Sequence, residues 1–268
     1  MPAPVTIGDT QLEIPAPAGF SPVTSAMTEL DKLLHGLVPP MNAYLTAFVA
    51  DADVDRALKH EMPDLSRYFG VQTLKQLTSR FLTKSDFATI KGAIQKQQEK
   101  IMEEVHKQTP GLIESINKNL AKDMSVDLGL KSLNMVPLPP HEDTERSLGF
   151  SMLVNYTAAG NSGAAQKEVS AVTGTVLHLK GKILYLYANG GEKDLQWTRK
   201  VSSDWARAVI AANPSDAATA SKESATRHGF DWRRVVRGAV IGGLIGAIFA
   251  VAGYFKRKRQ SGGSVKQS

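Results

Sequence analysis

Residues 238–255 of this 268-residue chain carry no charged side chain and run directly into the basic block Lys256, Arg257, Lys258 and Arg259. As a helix, these eighteen residues rise roughly 27 Å, close to the bilayer's hydrocarbon thickness of about 30 Å. Val235 and Val236 complete the span, with Arg237 able to reach outward along its aliphatic stem. Trp232 and Tyr254 stand near the two ends, where amphipathic rings prefer to lie, and Arg233 and Arg234 flank the first of them. The segment has no polar face, so a buried core helix accounts for it poorly. The expectation is a single transmembrane helix over 231–256 and a basic, disordered tail over 257–268. A linker over 214–230, rich in Ser, Ala and Thr, precedes the helix.

Within the apolar segment, Gly238, Gly242, Gly246 and Ala250 recur every four residues, with Ala239, Gly243 and Ala247 beside them. Apolar side chains gain little by leaving lipid for one another, so close backbone approach drives helix association in a membrane, and glycine permits it. The helix-association residues are therefore Gly238, Gly242, Gly243 and Gly246. The partners to expect are membrane lipid and either a second copy of the chain or another membrane protein. The plainer reading is that glycine and alanine are simply common in membrane spans. Orientation stays open, because five bases precede the span and five follow it. The compact KRKR resembles a stop-transfer signal, which puts the preceding domain outside the cytoplasm. The opening MPAPVTIGDTQLEIP does not read as a signal peptide, which favours a tail anchor with a cytoplasmic domain. The expectation is the outer, periplasmic placement.

The remainder has the composition of a folded body, 42% apolar and 22% charged. The net charge of +6 gathers beside the apolar segment, which points to lipid headgroups and away from nucleic acid. With no cysteine, disulfides, zinc–thiolate sites, iron–sulfur clusters and thiol nucleophiles are excluded.

Local patterns outline an α+β domain over 1–213, an antiparallel sheet flanked by helices. Gly8-Asp9 turns a hairpin over 5–14, and PAPAGF makes a proline-stiffened bend. Residues 25–36 read as a helix, 42–50 and 67–77 as strands, and 51–60 as a short helix. Residues 85–123 form a helical insertion that Ser85 caps and Pro110 breaks or kinks. Strands return over 126–138 and 146–157, joined by a turn at Pro137, Pro139 and Pro140. VTGTVLHLKGKILYLYAN is the clearest hairpin, turning at Gly181. A final helix over 194–213 carries Trp197, Val201, Trp205 and Val209 on one stripe.

Chemistry-bearing motifs are sparse. His141-Glu142-Asp143 reads as a solvated turn rather than a metal site, and His178 as a surface residue of the last hairpin. The glycine-rich NGGEKD at 189–194 opens the Trp-bearing helix, whose N–H groups offer a place for an anion, though a plain loop accounts for it better. No nucleophile elbow or phosphate loop is present. No catalytic, cofactor-binding or metal-ligating set emerges, so the expectation is a non-enzymatic chain without cofactors.

The order of elements carries one resemblance. The hairpin, the P-x-GF bend in PAPAGF, the antiparallel strands and the helix DLQWTRKVSSDWARAVIAANP together resemble the PsbP/DcrB-type α/β/α sandwich over residues 5–213. That resemblance implies a binding or assembly-supporting module, and no family residue transfers with it. The expected function is thus a membrane-anchored, self-associating binding module at a bacterial-type envelope. Two other readings stay open. One is a membrane-bound hydrolase or transferase built from His178, Tyr185, Asp194 and His141. The other is an oligomerising membrane-active effector regulated by the soluble domain.

Overall fold

The computed structural model describes residues 2–63, 65–96, 98–124, 129–159, 165–215 and 219. In chain order the elements are β1 Ala3–Ile7, β2 Thr10–Ile14, β3 Phe20–Pro22, α1 Thr28–Gly36, β4 Asn42–Ala50, α2 Val54–Leu58 and β5 Tyr68–Leu74. They continue with α3 Lys84–Lys96, α4 Gln98–Met124, β6 Leu130–Asp143, β7 Ser147–Ala159, β8 Ala165–Leu179, β9 Lys182–Gly191 and α5 Leu195–Ala212. Strands β3 to β9 form one antiparallel sheet in the order β3-β4-β5-β9-β8-β7-β6, while β1 and β2 form a separate two-stranded sheet. The fold is α+β, a large antiparallel sheet with helices on both faces.

Alternation along the central hairpin explains the layering. Val176, Ile183, Tyr185 and Tyr187 face one way and join Leu30, Leu33, Phe87, Ile90, Val105, Ile116 and Leu120 of the helices α1, α3 and α4. Leu177, Leu179, Leu184 and Leu186 face the other way and meet Val5, Leu12 and Ile14 of the β1–β2 hairpin and Trp205 and Val209 of α5. Both sides of a strand can be apolar only where the sheet is covered twice. Strand β5 illustrates it, since all seven of its residues are buried. The turn between β8 and β9 needs two left-handed residues, Lys180 at φ 47° and Gly181 at φ 75°.

The Trp stripe of α5 lies as its spacing requires. Trp205 meets Phe48 and Phe69 edge-on and donates its indole N–H to the Pro15 carbonyl at 2.7 Å. At the end of α5, the Asn213 side chain accepts from the Glu13 N–H and donates to the Glu13 carbonyl, binding the helix terminus to β2.

Three local expectations are corrected. The helical section starts on Thr83, not Ser85: the Asp86 N–H donates to Thr83 Oγ1 while the Thr83 N–H donates to Asp86 Oδ2. That reciprocal pair satisfies two otherwise orphaned donors. Pro110 does not end a helix, because α4 runs through it. The ring lies on the exposed side, and Thr109 Oγ1 bonds back to the Val105 carbonyl within the same turn. Finally, Pro137, Pro139 and Pro140 lie inside β6, and the chain reverses at Thr144, whose N–H donates to the Ser147 carbonyl. The prolines are tolerated because β6 is the sheet's edge, where a missing outward N–H breaks no ladder bond.

Apart from residues 214, 215 and 219, the 214–230 linker lies outside the described residues, as do the whole 231–256 segment and the 257–268 tail. Among the described residues, no helix is long and apolar enough to cross a membrane.

Candidate functional site

The membrane-associated candidates Gly238, Gly242, Gly243 and Gly246, with Trp232, Arg233, Arg234, Tyr254, Lys256, Arg257, Lys258 and Arg259, all lie outside the described residues. Within them, the structure assigns separate tasks to the four side chains of the hydrolase reading.

His178 is not a surface residue. It is 6% exposed, stacks on Phe87 at 5.4 Å, and its Nε2 lies 2.7 Å from the Leu82 carbonyl. The β8 alternation turns it toward the helices, and the start of α3 covers it. Tyr185 is fully buried beside Tyr187, and burial raises its phenol far above the ordinary range. Asp194 accepts from Arg67 at 2.6 Å and from the Gly191 N–H at 3.0 Å. The Arg67 bond, set against partial burial, holds its carboxyl below the usual value. Asp194 therefore puts the chain's own carboxylate at the Gly191 N–H of the NGGEKD turn. Arg67 in turn lies 4.5 Å over the Trp197 ring.

His141 differs from the other three. It sits on the bulge of β6, where the register with β7 slips between Leu138 and Glu142. Its half-buried ring lies against Gly149, so close that a Cβ there would stand 3.2 Å from Cε1 and from Nε2. Both ring nitrogens are shielded from solvent and meet no hydrogen-bond partner among the described residues. Burial first, and then the Arg199 charge, lower its pKa, with Glu142 opposing them. Its sequence neighbour Asp143 faces the opposite side of the sheet, held by Lys91 at 2.5 Å and Gln95 at 2.8 Å. The three residues His141, Glu142 and Asp143 thus do not converge. Among the described residues, no three potential metal ligands gather at one point.

Arg199 leads into a polar seam under α5. Its Nε donates to Ser151 Oγ at 3.1 Å, and Ser151 and Thr173 share a bond of 2.9 Å. Thr173 donates to Thr198 at 2.9 Å, and Thr198 to the Leu195 carbonyl at 2.9 Å. The chain has one direction, so Ser151 gives its proton to Thr173. That hydroxyl is an acceptor for a guanidinium, not a nucleophile held against a base. Thr175 and Ser202 add a parallel link at 2.7 Å. Each of these hydroxyls is buried and satisfied, as an interior polar group must be. Outside the Nε bond, the Arg199 guanidinium has no acceptor among the described residues.

Next to the seam the α5 cover runs out. Ser151 faces α5, so its register partner Leu138 and the same-side pair Val136 and Leu153 face that way too. Val136 is 41% exposed, and Leu138 and Leu153 are half-buried. Asn155 extends the strip along β7, while its register partner Asn134 places its amide oxygen 3.2 Å from His106 Nε2 of α4. The result is a shallow apolar shelf on the sheet's edge, with Arg199, Ser151 and His141 at one end.

Sequence reasoning missed Arg199, Ser151 and Thr173. The available signal was Thr198 and Ser202, four apart and one step from the Trp stripe, where a core-facing helix ordinarily carries apolar residues. No family model matches the chain, and no curated protein matches it either.

Proposed function

We propose that the chain is a membrane-anchored, non-enzymatic binding or assembly-support module. In this reading, the 231–256 segment anchors it in a bacterial-type envelope membrane and self-associates through its glycine ladder. The folded body, on the outer face, presents the β6–β7 shelf to a protein partner. The resemblance to PsbP/DcrB-type sandwiches is part of the proposal. The observation that carries it is the shelf: a sheet face left partly uncovered, with an apolar strip and a rim of Asn and Arg. That combination of apolar centre and polar edge is what a recognition surface requires. The hydrolase reading is less well supported, because His178, Tyr185 and Asp194 hold the fold together and, among the described residues, no base is bonded to Ser151.

The test separates body from anchor. The full chain should float with lipid vesicles, and a chain ending at residue 230 should stay in solution with the same thermal melt as the full chain's body. Continued vesicle association of the shortened chain would refute the anchor. Protease protection of the body in intact cells reads its side of the membrane.

A further inference from the structure

We propose that Arg199, oriented by Ser151, and His141 form a recognition site for a single carboxylate group. The site rests on the binding-module reading only for who carries that carboxylate.

Three observations converge. The Arg199 guanidinium is oriented by Ser151 through Nε, which leaves its terminal N–H groups without an acceptor among the described residues. A guanidinium fixed at one nitrogen presents a planar fork that matches a carboxylate. The His141 ring has both nitrogens buried and without a partner among the described residues, a cost that native structures avoid unless a ligand or water completes the site. The residue lies on an edge-strand bulge, a place where strands commonly re-aim a side chain.

Charge decides the ligand class. The groups facing the ring are Arg199 from α5 and Glu142 from β6 itself. On β7 the near residues Ser147, Gly149 and Ser151 are uncharged, and Ser147 donates to Glu142 Oε1 at 3.3 Å. With His141 neutral, Arg199 and Glu142 cancel. Once the ring takes up a proton, the site holds one net positive charge. One negative charge balances it, whereas the second charge of a phosphate dianion would be repelled by Glu142. Carboxylate binding and protonation of His141 therefore reinforce each other.

The experiment uses the full chain in uncharged detergent micelles and follows the His141 ring Cε1–H signal by NMR, assigned by its loss in His141→Gln. Sodium acetate is titrated against sodium chloride at matched ionic strength, and sodium phosphate forms a second arm. Acetate should shift the signal saturably and raise the ring's apparent pKa. Its affinity should rise about tenfold from about pH 8 to about pH 6. Arg199→Gln should abolish the shift, and Arg199→Lys, which keeps the charge but loses the fork, should weaken it about tenfold. If Arg199→Gln does not melt cooperatively, the Lys variant carries the test. No saturable shift beyond the chloride control overturns the site, as does an undiminished shift in the Lys variant. Stronger binding of phosphate than acetate overturns the carboxylate assignment. Because acetate binding is read on the chain alone, its failure leaves the vesicle-flotation result, and so the anchor, untouched.

Discussion

At the residue scale, the histidines show how far identity falls short of role. His178 and His141 lie on β8 and β6 of the same sheet, yet one is locked to a carbonyl and the other has no partner among the described residues. The difference appears in the pH dependence of stability. The folded chain holds His141 below its ordinary pKa. As pH falls through about 6.5, the unfolded chain takes up a proton that the folded chain refuses, so stability is lost on acidification. Denaturant melts from about pH 8 to about pH 5 should therefore show a decline in wild type that His141→Gln flattens. Asp143 and Asp194 act in a different window. Their folded pKa values lie below normal, through Lys91 and Arg67 respectively, so their contribution persists above about pH 4 and fades below it. A curve unchanged by His141→Gln above about pH 5 would show that the ring's burial costs nothing.

At the element scale, proline reveals what each segment tolerates. The β6 prolines are accepted because the strand is an edge, and they also discourage pairing with another sheet. Pro110 is a different case, since a proline inside a helix forfeits one backbone bond and crowds the preceding turn. Its ring is exposed, so Pro110→Ala restores the donor without leaving a cavity. The variant should be more stable by about 1–3 kcal/mol in urea titration. No gain would mean that α4 is already distorted there for another reason. Helix α5 gives the opposite prediction. Trp205 joins α5, β4, β5 and the Pro15 bend in one contact set, and Trp205→Ala should cost about 3–5 kcal/mol.

At the scale of the whole molecule, the sheet has two unequal sides. Helices α1, α3 and α4 cover one, and the β1–β2 hairpin with α5 covers most of the other. The part left over is the β6–β7 shelf, so the candidate surface follows from one helix being too narrow for a seven-stranded sheet. Gly242→Leu together with Gly246→Leu should block close approach of two spans and convert oligomers to monomers in cross-linking and analytical ultracentrifugation. An unchanged oligomer size in that double variant would remove the glycine ladder from the account.

Much of the architecture could be read directly from the order of residues, because it depends on geometry the chain carries with it. Period-two apolar alternation marked β4, β8 and β9, period-four spacing marked α5, and Gly8 and Gly181 marked turns that need positive φ. Other features depend on which strand lies at the edge and what packs above it, and no local pattern encodes that. Prolines read as a turn became an edge strand, a histidine read as exposed became core, and the Thr83–Asp86 cap displaced Ser85. The Arg199–Ser151 bond joins residues 48 positions apart, and Thr173 extends it from a third element. Spacing along a chain sets which way each side chain points within its own element. Only the packing of elements determines which of those side chains meet.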